Sequence, residues 1–276
     1  MEEEKIRKAV REGYAKVAKD DKNSCCSSQC CSCNTTNENE EISKRIGYSE
    51  EEISSVPEGA NLGLGCGNPT ALASLKEGET VLDLGSGAGF DCFLAARKVG
   101  NAGRVIGVDM TPDMIDKARE NARKGEYNNV EFRLGEIENL PVADNTADII
   151  ISNCVINLST NKKRVFEEAH RALKPNGRLM VSDIVLLNEL PSAIRQSIEA
   201  YVGCLSGAEI KDKYLRTIED AGFRNVKIIE EDGFPVDDML NDPTAQKILK
   251  DSNVSVQEAN KIVESVLSVK VSATKT

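Results

Sequence analysis

The fold is decided by one stretch, Val81-Leu82-Asp83-Leu84-Gly85-Ser86-Gly87-Ala88-Gly89-Phe90-Asp91. Its first four residues are typical of a buried strand, and the three glycines at alternate positions predict a tight turn that leads into a helix. Glycine adopts backbone conformations that are closed to residues with a Cβ atom, and it lets a ligand approach the main chain. The free N–H groups of the following helix would point at that ligand. The stretch therefore predicts a strand, a turn and a helix that bind a ligand.

The glycine spacing distinguishes two kinds of nucleotide-binding turn. NAD enzymes place the second and third glycines of the turn three residues apart, whereas Gly87 and Gly89 are two apart. The pattern Asp83-x-Gly85-x-Gly87-x-Gly89 resembles the S-adenosylmethionine turn of class I methyltransferases. Taken alone, this motif leaves open a structural turn or another nucleotide fold.

Carboxylates after the next two strands support a nucleoside ligand. Asp109 ends the predicted strand 104–109, about twenty residues beyond the turn, where an acid can accept both hydroxyls of a ribose. Glu136 follows the third strand and could accept the adenine amino group. The predicted cofactor site comprises Asp83, Gly85, Ser86, Gly87, Gly89, Asp109, Met110, Glu136, Ile137 and Asn153.

Strands and helices alternate beyond residue 79, as they do in βαβ units. The predicted strands cover 80–84, 104–109, 130–134, 147–152, 177–184, 225–231 and 269–273. The predicted helices cover 89–98, 112–124, 161–173 and 208–220, with a helical stretch from Pro191 and two helices within 236–264. We therefore expect an α/β fold with a mostly parallel seven-stranded sheet and helices on both faces.

The N-terminal part differs in composition. Residues 2–19 predict an amphipathic helix, and a polar stretch that continues to Glu41 predicts a mobile loop. That loop carries five cysteines, namely Cys25, Cys26, Cys30, Cys31 and Cys33. An incidentally cysteine-rich linker and a zinc site are the alternatives, and contiguous Cys-Cys pairs match zinc-ligand spacing poorly. Ser49 and Glu52 form a capping box, which predicts a short helix from Glu50 to before Pro57.

Composition and charge limit the binding partners and the cellular compartment that the sequence predicts. The net charge of −10 and the absence of a basic cluster disfavour nucleic acid and an anionic membrane surface. The N-terminus lacks a signal-peptide pattern, and no apolar run approaches the length of a membrane span, so we expect a cytoplasmic protein. Nine cysteines and one histidine indicate reactive or ligand thiols rather than a disulfide framework.

Three cysteines in separate motifs make a family resemblance specific. Residues 45–230 resemble arsenite (arsenic(III)) methyltransferases, and the motifs are Gly65-Cys66-Gly67-Asn68-Pro69, Asp83-Leu84-Gly85-Ser86-Gly87-Ala88-Gly89-Phe90-Asp91-Cys92, Gly107-Val108-Asp109-Met110, Ser152-Asn153-Cys154-Val155-Ile156-Asn157-Leu158 and Tyr201-Val202-Gly203-Cys204. The resemblance implies a Rossmann-like class I methyltransferase fold with an N-terminal cysteine-rich extension, S-adenosylmethionine as methyl donor, and As(III) bound by the catalytic thiolates of Cys66, Cys154 and Cys204. It also implies a relay cysteine in the N-terminal loop and a thiol reductant, glutathione or a thioredoxin-type protein.

The resemblance divides the chain into an extension over 1–44 and a methyltransferase domain over 45–276, with the substrate part at about 185–276. The substrate would be arsenite or an arsenic–thiol conjugate, and the products mono- and dimethylated arsenicals. A soft metal or metalloid ion prefers thiolate ligands. This preference agrees with the binding of As(III) by cysteines that the resemblance implies. Two alternatives stay open: a small-molecule C- or O-methyltransferase of the same fold, and a thiol-based arsenic- or metal-binding protein.

Overall fold

The described part of the chain forms one mixed sheet with helices on both faces. A computed structural model describes residues 3–19, 35–233 and 256–276. The strands are β1 (Thr80–Leu84), β2 (Arg104–Asp109), β3 (Val130–Leu134), β4 (Ala147–Asn153), β5 (Leu173–Leu186), β6 (Glu209–Ile210), β7 (Arg224–Gly233) and β8 (Val266–Thr274). The helices are α1 (Glu3–Lys19), α2 (Thr35–Arg45), α3 (Glu50–Ser54), α4 (Pro69–Leu72), α5 (Phe90–Val99), α6 (Pro112–Lys124), α7 (Lys162–Ala172), α8 (Ser192–Arg195), α9 (Ile198–Val202), α10 (Lys211–Asp220) and α11 (Val256–Glu264).

The local sequence explains where the central elements begin and end. Gly85 ends β1 because its backbone turns into the left-handed region, at φ 74°. Pro112 begins α6, where a first-turn proline loses no helical hydrogen bond. The capping box forms as predicted, since the side chain of Ser49 accepts from the N–H of Glu52 and the Glu52 side chain accepts in return.

The sheet order is β3-β2-β1-β4-β5-β8-β7. The strands from β3 to β5 are parallel, and β8 runs antiparallel to both β5 and β7. The predicted seven strands are present, and the two-residue β6 adds an eighth beside β5. The winding reverses between β1 and β4, so a crevice opens outside their carboxyl ends.

Alternate residues of the strands pack into two hydrophobic layers. Leu82 and Ile150 face one layer together with Phe166 of α7. Val81 faces the other together with Phe93 of α5. Burial on both faces explains why the central strands are almost entirely apolar.

Several predicted boundaries were wrong. Helix α10 begins at Lys211 rather than at 208, and strand β8 begins at Val266 rather than at 269. Two larger differences depend on features that the local pattern does not show. The predicted loop to Glu41 is helical from Thr35, and Ser43 Oγ of this helix donates to Asn61 Oδ1 at 3.0 Å. Strand β5 begins at Leu173 rather than at 177, because Asn176 adopts φ 64° and the turn becomes an irregularity within the strand.

Some predictions fall outside the described ranges. The five N-terminal cysteines and the first of the two helices predicted within 236–264 lie there, whereas the second corresponds to α11. Within the described ranges, no helix is long and apolar enough to cross a membrane.

Candidate active site

A cavity of about 1100 Å³ opens at the crevice between β1 and β4. It gathers almost all the residues predicted for the site. These are Asp83, Gly85, Ser86, Gly87, Asp109, Met110, Glu136, Ile137, Asn153, Cys66, Cys154 and Cys204. Gly89 does not line the cavity. A Cβ atom there would lie 2.7 Å from the Phe93 ring, so its role is to let the turn pack against α5.

The glycine turn presents one open position to the cavity. A Cβ atom on Gly85 would come within 2.3 Å of Val155, whereas one on Gly87 would meet no protein atom within 4 Å. The hydroxyl of neighbouring Ser86 is buried and has no hydrogen-bond partner. The space above Gly87 and this unpaired hydroxyl fit a polar ligand laid along the turn.

Acidic side chains surround that space. Asp109 accepts hydrogen bonds from the N–H groups of Gly87 at 3.0 Å and Thr111 at 2.8 Å, which fixes its carboxylate at the end of β2. Burial raises the pKa of Asp109. Burial and the charge of Asp91 raise the pKa of Asp83 well above its usual value, and Asp83 accepts from the Cys92 thiol at 3.1 Å. Acids so placed favour a cationic ligand.

Helix α1 covers the far end of the cavity. Arg7 and Arg11 lie 3.7 and 3.6 Å from the carboxylate of Glu136. The acid predicted to meet adenine is therefore already paired with α1. Ile137 beside it is buried and offers an apolar surface to a flat ring.

The predicted thiols meet although they come from three parts of the chain. The thiol of Cys154 interacts with those of both Cys66 and Cys204. Cys154 and Cys204 both adopt left-handed backbone conformations, at φ 59° and 64°. Such conformations are unfavourable for residues with a side chain and are concentrated at functional sites.

Hydrogen bonds hold each cysteine in place. The N–H of Cys66 donates to Asn153 Oδ1 at 3.0 Å, and its carbonyl accepts from Ser268 Oγ at 2.7 Å. The N–H of Cys154 donates to the Ser182 carbonyl at 2.8 Å. The thiol of Cys204 donates to the Cys154 carbonyl at 2.9 Å.

The surroundings of Cys66 and Cys154 favour the protonated form of both thiols. Burial raises the pKa of the Cys66 thiol. Hydrogen bonding to Cys204 and Cys66, together with burial, raises the pKa of Cys154 well above its usual value. Across the described ranges, no set of three or more Cys, His, Asp or Glu side chains is arranged to hold a metal ion. Because the Cys204 thiol is turned towards a carbonyl, it must rotate before all three sulfurs can share a ligand.

Sequence reasoning missed two groups near the thiols, the half-buried Tyr14 and the buried Asp183. Tyr14 of α1 lines the cavity, and its phenol interacts with the Cys204 thiol. Asp183 accepts from Tyr214 Oη at 3.0 Å and from Asn157 Nδ2 at 2.8 Å, and burial raises its pKa to about 7. The one signal for Asp183 was an acid near the end of a predicted strand.

A family model described as a methyltransferase domain matches residues 75–222, more than half of the chain. The chain belongs to the methyltransferase domain family. Its architecture is the Rossmann-like class I fold of S-adenosylmethionine-dependent methyltransferases. The matched residues of this methyltransferase domain include the glycine turn and the Cys154 segment but begin after Cys66.

Comparisons with individual proteins extend the similarity beyond the residues that the family model matches. An arsenite methyltransferase of Halobacterium salinarum is 48% identical over 238 residues, which cover 83% of this chain and 60% of that protein. The methyltransferase chain thus spans less than two thirds of that relative. A ubiquinone/menaquinone biosynthesis C-methyltransferase of Enterobacter is 37% identical over 110 residues, covering 40% of this chain and 44% of that protein. The crystal structure of an arsenic(III) S-adenosylmethionine methyltransferase of Chlamydomonas reinhardtii superposes with a TM-score of 0.63 at 29% identity, covering 85% of this chain and 73% of that one.

Proposed function

We propose that this protein transfers methyl groups from S-adenosylmethionine to trivalent arsenic held by Cys66, Cys154 and Cys204. The observation that carries the proposal is that Cys66, Cys154 and Cys204 belong to one buried cluster and line the cavity that also holds the glycine turn. The relative of Halobacterium salinarum supports the choice of acceptor. The matched C-methyltransferase covers a smaller share of the chain, 40%.

We assign the predicted cofactor-binding residues to different parts of S-adenosylmethionine. We assign the ribose to the carboxylate of Asp109 and the polar chain of the cofactor to Gly87 and Ser86. Glu136 and Ile137 would enclose the base, with Met110 beside it. Asp83 and Asn153 bond to protein groups within the cavity wall, so we assign them to shaping the site.

Binding of arsenite to the thiols requires no separate base. Each Cys S–H replaces one As–OH group, and the thiol proton leaves with the hydroxyl as water. Raised thiol pKa values therefore do not oppose binding. Three sulfurs around As(III) leave its lone pair directed away from them, towards the glycine turn.

S-adenosylmethionine supplies a methyl group on a sulfonium, which the arsenic lone pair can displace. The protein's own part is to hold the acceptor in line and to exclude water. The new As–C bond formally oxidises arsenic by two electrons. A pair of cysteines that closes to a disulfide returns those electrons, and an external dithiol or glutathione then reopens the disulfide.

We assign the relay to a thiol among Cys25, Cys26, Cys30, Cys31 and Cys33, within the extension over 1–44. The external reductant is glutathione or a thioredoxin-type protein. The domain over 45–276 would then carry the transfer itself.

Arsenic speciation tests the proposal. The full chain is incubated with arsenite, S-adenosylmethionine and glutathione, and the arsenicals are separated and quantified. Methylated arsenic from the wild type and none from Cys154→Ser would support it. Methylation of an organic acceptor by all three cysteine-to-serine variants would favour the C- or O-methyltransferase instead. Arsenic binding that is never followed by methylation would favour a metal-binding protein.

A further inference from the structure

The side-chain amide of Asn153, at the end of β4, bonds directly to the loop that carries Cys66. Asn153 Oδ1 accepts from the N–H of Cys66 at 3.0 Å, and Nδ2 donates to the carbonyl of Gly67 at 2.8 Å. A backbone N–H can only donate and a carbonyl can only accept, so these bonds fix which end of the amide is oxygen. The amide thus holds the loop on both sides of the cysteine Cα atom.

The same amide reaches an acid of the cofactor cavity. Asn153 Nδ2 also lies 2.9 Å from Tyr48 Oη and 3.2 Å from Asp91 Oδ2, and Tyr48 donates to Asp91 Oδ1 at 2.7 Å. Asp91 lies in the first turn of α5 and lines the cavity. Burial raises the pKa of Asp91 to about 6 against the opposing hydrogen bonds of Tyr48 and Asn153.

The amide nitrogen has more acceptors than hydrogens. Two N–H groups serve three acceptors: the carbonyl of Gly67, the hydroxyl of Tyr48 and the carboxylate of Asp91. A hydrogen bond to an ionised acceptor is about twice as strong as one to a neutral acceptor. The charge of Asp91 therefore determines how strongly the amide is drawn towards Asp91.

The loop backbone lies too close to the amide for it to move alone. A Cβ atom on Gly65 would fall 2.7 Å from Asn153 Nδ2, and Gly65 adopts φ 111°. Since the amide is also bonded to the N–H of Cys66 and the carbonyl of Gly67, a displacement of the amide displaces the Cys66 loop as well.

We propose that Asn153 is a positioning residue that couples occupancy of the cofactor cavity to the placement of the Cys66 thiol. A cationic ligand beside Asp91 favours its ionised form, which strengthens the bonds from Tyr48 and Asn153 and draws the loop inward. Where the loop is taken to hold arsenic, the inference rests on the proposed function. The coupling itself concerns only the cofactor and a thiol.

Selective alkylation measures the coupling without arsenic. The full chain is treated with iodoacetamide, with and without saturating S-adenosylmethionine and with no acceptor, and modified peptides are quantified by mass spectrometry. In the wild type, the cofactor should slow alkylation of Cys66 at least about fivefold more than that of Cys204, as a coupling of ordinary size requires. Cys204 is the internal reference because it lines the same cavity but does not bond to Asn153. In Asn153→Ala, the two thiols should be slowed equally.

Two further variants make the result specific. Asn129→Ala removes an amide that donates to two backbone carbonyls near the end of α5, at 3.0 and 3.2 Å, and that does not line the cavity. It should behave as the wild type. Tyr48→Phe removes one of the three competing acceptors but leaves the bonds of Asn153 to the loop and to Asp91, so it should keep the selective protection.

Equal slowing of both thiols in the wild type would overturn the inference. So would selective protection that persists in an Asn153→Ala protein that melts as a folded chain. Because the assay contains no arsenic, these outcomes are distinguishable from a failure of arsenic methylation.

Discussion

The thiol of Cys204 donates its hydrogen to the backbone carbonyl of Cys154 at 2.9 Å. This bond joins the end of α9 to the segment after β4, and both cysteines have left-handed backbones. A serine hydroxyl could make the same bond but would be a poor ligand for a soft centre. The two roles of the Cys204 side chain, as hydrogen-bond donor and as arsenic ligand, are therefore separable.

Serine variants should separate structure from ligand binding. We expect Cys204→Ser to melt close to the wild type and to lose both arsenite binding and methylation, because two sulfurs remain for three bonds. Cys66→Ser should likewise fail with arsenite but still methylate a monomethylated arsenical, which needs only two sulfurs. Calorimetry with each arsenical and product speciation would check this. Methylation of arsenite by Cys204→Ser at the wild-type rate would contradict the three-thiol site.

The N-terminal cysteines should matter for turnover and not for binding. In a variant with Cys25, Cys26, Cys30, Cys31 and Cys33 all changed to serine, we expect arsenite affinity to persist and one methyl group to be transferred per enzyme. Later cycles should stop because the relay thiol is missing. Single-turnover and steady-state assays on the same preparation would measure the two effects. Loss of arsenite binding in this variant would show that the loop is part of the site.

Asp109 should act on the cofactor alone. Asp109→Ala removes a charged acceptor, which should weaken S-adenosylmethionine binding by about 2–4 kcal/mol and leave arsenite affinity nearly unchanged. Calorimetric titration with each ligand separately measures the affinity for S-adenosylmethionine and the affinity for arsenite. Asp113→Ala is a matched control, because this acid lies in the first turn of α6, pairs with Lys19 at 3.0 Å and does not line the cavity. If Asp109→Ala weakened the binding of both ligands equally, Asp109 would support the fold of the site and would not bind the cofactor specifically.

Asp183 should make stability depend on pH in the direction opposite to an ordinary acid. Its pKa in the folded protein, about 7, lies above the usual 3.8, so the folded state holds the proton more tightly. Its stabilising contribution is complete below about pH 4 and is lost as the pH rises towards 7. The difference in unfolding free energy between the wild type and Asp183→Asn should therefore fall from about pH 4.5 to pH 7 in urea titrations.

Asp148 provides the control for this measurement. Although partial burial opposes it, hydrogen bonds from Lys174 and from the N–H of Thr80 hold the pKa of Asp148 below its usual value. The difference between the wild type and Asp148→Asn should thus stay constant over the same pH range. A constant difference for Asp183→Asn as well would show that Asp183 does not titrate there.

Two glycines should respond differently to alanine. A Cβ atom on Gly67 would lie 2.0 Å from Ser182 Oγ, so Gly67→Ala should lower the melting temperature, and adding Ser182→Ala should restore much of it. Gly87→Ala meets no protein atom but puts a Cβ atom on a left-handed backbone, at φ 50°, so it should lower stability by about 1 kcal/mol and weaken cofactor binding by more. Thermal melts with and without the cofactor would measure both. If Gly87→Ala and the wild type bound the cofactor with equal affinity, the cofactor could not lie against the glycine turn at Gly87.

The sequence predicted those features that local patterns control. Strands β1, β2 and β3 have the predicted bounds, because their strand patterns end at Gly85, Asp109 and Gly135. Helix α2 was missed because its position depends on the contact of Ser43 with Asn61. The cytoplasmic location and the division of the chain at residue 45 stay predictions.

The site was predictable in its parts but not in its connections. The glycine turn, Asp109 and the three cysteines carry their chemistry in short motifs. The bonds that position them join residues far apart in the chain, such as Tyr48 and Asp91 or Asp183 and Tyr214. No periodicity links such pairs, since a side-chain hydrogen bond leaves no repeating pattern in the sequence.

The placement of β8 has a consequence for synthesis on the ribosome. This strand lies between β5 and β7, although β7 precedes it in the chain. Its Ser268 also supplies the hydrogen bond to the carbonyl of Cys66, which is 202 residues earlier. A nascent chain that has not yet reached Val266 therefore carries the cofactor turn and all three thiols while β7 still lacks its neighbour. The Cys66 loop becomes fully bonded only after translation has passed β8.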